Sequence, residues 1–172
     1  MSIDRIAAAI RDIPDFPKPG IIYKDITPLL KDPELFRETI RALAGRCTEK
    51  PDYIAGIEAR GFIIGAPLAL ELGCGFVPVR KKGKLPYDTV EQSYSLEYGT
   101  ASIEIHQDAV KPGDKVLIID DVLATGGTAA AAVELLKKIN AEIIGINFLL
   151  ELSFLVGRDK LREMKVDSLI TV

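Results

Sequence analysis

An α/β fold, with a parallel sheet and helices on both faces, is what the order of patterns in this 172-residue chain predicts. Three observations carry that expectation. Apolar runs at Tyr53–Ile57, Val116–Ile119 and Glu142–Leu150 read as strands buried in a sheet. Helical periods separate them. Two of the runs lead at once into an acid, a glycine turn and a helix start, which repeats one architectural unit. With 48% hydrophobic residues the whole chain, 1–172, suits a single domain with a sizeable core, and residues 1–30 form an added flap.

Taken in order, Ile3, Ile6, Ala7, Ile10 and Ile13 recur at helical spacing and predict a short amphipathic helix. Asp15-Phe16-Pro17-Lys18-Pro19-Gly20 breaks it. Ile21–Ile26 fits either a loop lining a pocket or a small edge strand. Asp32-Pro33-Glu34 starts a helix, with Asp as N-cap and Pro at the first helical position. Leu35, Phe36, Thr39, Ile40 and Leu43 are its buried stripe, and Gly45 can end it.

Tyr53–Ile57 is the first central strand. Glu58-Ala59-Arg60-Gly61 follows, then a short helix over Gly65–Leu72 that Pro67 confines to starting near itself. Arg60 is either a partner for an anion or one half of a surface ion pair with Glu58. Gly75–Val79 is the next strand, placed by Pro78 towards an edge or a bulge. The basic run Arg80-Lys81-Lys82-Gly83-Lys84 is either a solvated face or a reach towards a polyanion, including one on a neighbouring subunit. Residues 87–99 predict a mobile loop, with Glu97 as plain strand entry. Ala101–Ile105 alternates as a half-exposed strand. His106, the only histidine, takes no role. Lys111–Asp114 is a turn, and Asp167–Val172 a final short strand.

The densest chemistry lies at residues 116–128. Asp120 and Asp121 stand at a strand's carboxyl end, where open α/β sheets bind ligands. Thr125-Gly126-Gly127-Thr128 then opens the helix Ala129–Lys138. Glycines let backbone N–H groups converge, and the helix start adds partial positive charge, so this is a phosphate cradle with two acids beside it. No Lys precedes Thr128 as a Walker loop requires, and Gly126-Gly127 lacks the spacing of a dinucleotide fingerprint. Carboxylates accept from a ribose diol, so the indicated ligand is a sugar phosphate.

Composition narrows the field further. A net charge of −3 gives no basic field for nucleic acid. Cys47 and Cys74 make neither metal-ligand spacing nor a disulfide framework. Asp4, Arg5, Arg11 and Asp12 interrupt any signal-peptide core, and no run is long enough to span a membrane. A soluble cytoplasmic protein is the expectation.

The central motif resembles the diphosphate-sugar motif of the type I phosphoribosyltransferases. Phe16–Gly20, Ile26–Leu30, Glu58–Phe62, Arg80–Pro86 and Tyr94–Gly99 extend the likeness over nearly the whole chain, towards the adenine-using members. The resemblance implies a type I phosphoribosyltransferase fold with a small N-terminal hood, converting adenine and 5-phosphoribosyl 1-diphosphate to AMP and diphosphate. It further implies Mg²⁺, carried mainly by the substrate diphosphate, and a homodimer.

By position it places Asp120, Asp121, Ala124, Thr125, Gly126, Gly127 and Thr128 on the phosphoribosyl group. Arg60, Arg80, Lys81 and Lys84 fall on diphosphate, with Arg80 reaching across the dimer. Ile22, Lys24 and Leu152 fall on adenine, and Glu97 becomes the catalytic proton-transfer group. Lys24 stands where the family often carries Arg. Two rivals are a non-catalytic regulator on the same fold and a 6-oxopurine phosphoribosyltransferase. The first would need an added DNA-binding module or a basic face.

Overall fold

A computed structural model describes residues 3–96 and 99–172. In chain order the elements are α1 (Ile3–Ala8), β1 (Arg11–Pro14), β2 (Ile22–Asp25), α2 (Thr27–Lys31), α3 (Pro33–Gly45) and β3 (Tyr53–Ile57). Then come α4 (Arg60–Leu72), β4 (Gly75–Lys81), β5 (Thr89–Leu96), β6 (Gly99–His106), β7 (Lys115–Leu123) and α5 (Gly127–Lys138). The strands β8 (Glu142–Glu151) and β9 (Val166–Thr171) enclose two 3-10 turns, Ser153–Leu155 and Gly157–Leu161.

Seven strands form one sheet in the order β5-β6-β4-β3-β7-β8-β9, and β1 pairs β2 in a separate hairpin. The block from β4 to β9 is parallel, whereas β5 and β6 are antiparallel additions. Alternation along β7 shows why both faces are covered. Val116 and Ile118 face a core shared with Ala132, Leu135 and Leu136 of α5. Leu117 and Ile119 face the opposite core, with Ile40 and Leu43 of α3 and Ile64 and Leu68 of α4. A strand with helices on both sides has no polar face to show, hence the unbroken apolar run. The N-cap of α3 is as expected: Asp32 accepts from the N–H groups of Glu34 and Leu35 at 3.0 and 3.1 Å.

Four expectations need correction. The opening helix stops at Ala8, and Ile13 lies on β1 instead, paired with Tyr23. Six residues of helix are marginal by themselves, and the β1–β2 ladder with Arg11 on Asp25 at 2.6 Å holds the rest extended. Helix α4 begins at Arg60, leaving Pro67 inside it. Burying Ile64 and Leu68, both 0% exposed, contributes about 1.5–3 kcal/mol each and offsets the roughly 3 kcal/mol that an interior Pro costs.

The segment predicted as a mobile loop is strand β5, paired with β6 from Thr89↔His106 to Leu96↔Gly99. Its polar residues hide the strand from sequence patterns, while Ser93 and Ser102 share a hydroxyl contact of 2.7 Å. Finally, β6 is not half-exposed: Ile103, Glu104 and Ile105 are all buried. Glu104 accepts from the N–H groups of Lys84 and Leu85, so the basic turn covers the polar face. Strand β4 lies inside the sheet, yet Pro78 is tolerated because β6 pairs with it only at Arg80 and Lys81, leaving no ladder on that side of Pro78.

Candidate active site

Strands β3 and β7 lie side by side in parallel, with Gly56 opposite Ile119. Glu58, just past β3, and Asp120, on β7, therefore lie at the same carboxyl edge of this strand pair. A cleft of about 560 Å³ opens there, between the β1–β2 hairpin and the ends of the central strands. Nine of the residues picked out by sequence line it. They are Ile22, Lys24 and Leu152, Arg60 and Lys81, and Asp120, Asp121, Ala124 and Thr128. A smaller hollow of about 80 Å³ adjoins it, lined by Ala124, Thr125, Gly126, Gly127 and Thr128.

That hollow faces the start of α5. The N-cap residue, Gly126, has φ +80° and offers no side chain to the helix's first N–H groups. No acid occupies the first turn either. Those N–H groups have no intrahelical acceptor, and with the helix dipole they make an anion site.

The two acids sit in unlike surroundings. Asp120 Oδ1 accepts from the Asp121 N–H at 2.9 Å. Gly61 lets α4 approach this carboxylate, for a Cβ there would stand 3.0 Å from Asp120 Oδ1. Burial pushes the Asp120 carboxyl well above the usual range, and the neighbouring Asp121 adds to it. Asp121 is raised by burial as well, against the opposing charge of Arg60. Arg60 Nε lies 2.7 Å from Asp121 Oδ2, yet that oxygen accepts no well-aligned hydrogen bond. The contact is one of charge.

Arg60 is thus not paired with Glu58. Glu58 instead takes both forks of Arg80, at 3.2 and 3.0 Å, and the Lys81 N–H at 2.9 Å. The Arg80 guanidinium holds the Glu58 carboxyl below its ordinary value. Arg80 also donates to the Lys84 carbonyl, and neither Arg80 nor Lys84 lines the cleft. In the single chain, Glu58, just past β3, anchors the basic turn through Arg80, while the sequence reading placed Arg80 and Lys84 on diphosphate, Arg80 from across a dimer. Lys24 lines the cleft, but its ammonium is 2.7 Å from Asp12 across the hairpin. Glu97 lies outside the described residues.

Two residues given no individual role by the sequence reading also line the cleft. Tyr23, on β2, accepts a 2.5 Å hydrogen bond from Arg60 Nη1, and its ring stacks edge-on against Phe16. The alternation of Ile22, Tyr23 and Lys24 was the available signal. Tyr94 of β5 also lines the cleft, which only the hairpin topology reveals. Glu151 is not among the residues lining the cleft: it is buried, gripped by Arg158 at 2.7 Å through both oxygens and by Ser168 at 2.7 Å. Arg158 lowers its pKa, and the pair fixes the segment that brings Leu152 and Leu155 into the cleft.

Among the described residues no group of three or more His, Cys, Asp or Glu is arranged to hold a metal ion. Among the described residues, no helix is long and apolar enough to cross a membrane.

Known proteins share both sequence and architecture with this chain. The phosphoribosyl transferase domain model matches residues 26–168. Adenine phosphoribosyltransferase from Acidothermus cellulolyticus is 59% identical over 168 residues, 97% of this chain and 95% of that protein. The crystal structure of adenine phosphoribosyltransferase from Thermoanaerobacter pseudethanolicus superposes with a TM-score of 0.97 at 53% identity, covering 99% of this chain and 100% of the other. The Saccharomyces cerevisiae adenine phosphoribosyltransferase, solved with an imino-altritol bisphosphate and adenine, gives a TM-score of 0.92 at 43% identity and 97% coverage of both chains. With a cleft of this form at the carboxyl edge of β3 and β7, and full-length likeness on both counts, the chain belongs to the phosphoribosyltransferase family, among the adenine phosphoribosyltransferases.

Proposed function

We propose that this chain transfers the 5-phosphoribosyl group of 5-phosphoribosyl 1-diphosphate to adenine, giving AMP and diphosphate, a purine salvage reaction. The observation that carries the reading is the adjacency of two anion-accepting turns on neighbouring parallel strands, with an apolar end beside them. In this reading the 5′-phosphate sits in the Thr125–Thr128 hollow, where the uncapped start of α5 meets its charge. The ribose hydroxyls donate to Asp120 and Asp121. Diphosphate lies towards Arg60 and Lys81, and adenine between Ile22 and Leu152.

The bond from ribose C1 to diphosphate breaks with its electron pair leaving on diphosphate, while a bond from adenine N9 to C1 forms. The ring gains oxocarbenium character as the groups separate. Asp120 and Asp121 line the cleft, and a cationic ring beside them favours their charged forms, so carboxylates and ring stabilise one another. Adenine N9 becomes nucleophilic as the proton on N7 departs, and Glu97 is the group proposed to take it. Mg²⁺, arriving on the diphosphate, would neutralise charge on the leaving group, with Asp120 and Asp121 among the carboxylates lining the cleft that its water shell could reach.

A cytoplasmic homodimer completes the proposal. Ile63 and Leu70, seven residues apart on α4 and 44% and 82% exposed, supply an apolar surface for a second copy to cover.

The test incubates the chain with 5-phosphoribosyl 1-diphosphate and adenine, hypoxanthine or guanine in turn. AMP and diphosphate should form from adenine alone. Nucleotide from hypoxanthine or guanine would move the chain to 6-oxopurine transfer, and no product with any base would overturn catalysis.

A further inference from the structure

The guanidinium of Arg60 is gripped on two edges before any anion reaches it. Nε faces Asp121 at 2.7 Å, on β7. Nη1 donates to the Tyr23 hydroxyl at 2.5 Å, on the β1–β2 hairpin. The centre of the same guanidinium is 5.1 Å from the Tyr23 ring centroid, so hydroxyl and π-face both act on it. The remaining nitrogen, Nη2, has no partner among the described residues. Tyr23, Arg60 and Asp121 all line the cleft. Tyr23 is itself braced, its ring 5.2 Å from that of Phe16 at an interplanar angle of 74°.

A guanidinium on a flexible stem normally loses rotamer freedom when it captures an anion, and pre-ordering removes that loss. Asp121 alone leaves the plane free to swing about one contact. A second contact through Tyr23 fixes its orientation. We propose that the Tyr23 hydroxyl is a positioning residue for anion capture, acting through Arg60 and tying the hairpin beside the base to the diphosphate end of the cleft. The inference rests on the proposed assignment of that end to diphosphate.

Tyr23→Phe tests it, because the ring and its Phe16 contact remain while the hydroxyl goes. Binding of diphosphate and of AMP, both with Mg²⁺ present, is titrated calorimetrically in the parent, Tyr23→Phe, Arg60→Ala and the double variant. Tyr23→Phe should weaken diphosphate about three- to tenfold, the scale of re-ordering one long side chain, and AMP less than twofold. In the Arg60→Ala background the same change should have no further effect. Should Arg60→Ala fail to fold, Arg60→Lys replaces it, since an ammonium keeps the charge but not the two-edged plane.

Undiminished diphosphate affinity in Tyr23→Phe overturns the inference. So does equal loss for AMP, which marks a general effect on the fold, or a loss that persists without Arg60. A parent chain that shows this pattern but makes no AMP from adenine would defeat the transferase reading alone. A parent that binds no diphosphate would defeat the inference itself.

Discussion

Gly126 and Gly157 are packed back to back: a Cβ on Gly126 would collide with the Gly157 carbonyl, and one on Gly157 with the carbonyl of Ala124. Gly126 also holds φ +80°, which L side chains rarely adopt. The turn after β8, which carries Leu152 and Leu155, is therefore seated directly on the Thr125–Thr128 loop.

Gly157→Ala should consequently impair phosphate binding although residue 157 lies outside the Thr125–Thr128 loop. Overpacking against Ala124 and Leu123 should cost about 1–3 kcal/mol, and lower the melting temperature by several degrees. AMP affinity should fall with it. Gly45→Ala is the control, because nothing lies within 4 Å of a Cβ there. Thermal melts and AMP titrations of both variants check this, and a Gly157→Ala protein with parental AMP affinity would separate the two loops.

Asp120 sets function against stability. An acid whose pKa is raised by folding destabilises the native state above that pKa, and the penalty fades as pH falls through it because the folded chain binds the proton first. Asp120→Asn keeps an oxygen for the Asp121 N–H while removing the charge. It should stabilise the protein by about 0.5–2 kcal/mol at mildly alkaline pH, with the gain shrinking on acidification. AMP affinity should drop. Denaturation curves across pH provide the measurement, and a gain independent of pH would mean the charge is not its source.

Glu97, outside the described residues, is judged by chemistry. Gln preserves size and hydrogen bonding but cannot cycle a proton. If Glu97 takes the N7 proton, Glu97→Gln should slow single-turnover AMP formation by roughly 10²–10⁴-fold, with little change in 5-phosphoribosyl 1-diphosphate binding. A chemical step within a few-fold of the parent would return Glu97 to strand entry.

Much of this was legible in one dimension, for identifiable reasons. Val116–Ile119 is apolar without a break because helices cover β7 on both faces, so composition alone reports its place in the sheet. Asp32-Pro33-Glu34 reports a helix start because N-capping is local chemistry. Asp120 and Thr125–Thr128 announce one shared hollow because strand, acid, glycines and helix start are contiguous. What involves partners distant in the chain was not legible. Strand β5 has polar residues and exists through its ladder with β6. Helix α4 runs through Pro67 because Ile64 and Leu68 are buried beneath it. Arg60 opens α4 and Arg80 lies near the end of β4, and the choice between Glu58 and Asp121 depends on side-chain reach across the sheet, which spacing along the chain does not encode. Local patterning determined the elements and the cradle; tertiary packing decided which charges meet, because ion pairs form between neighbours in space.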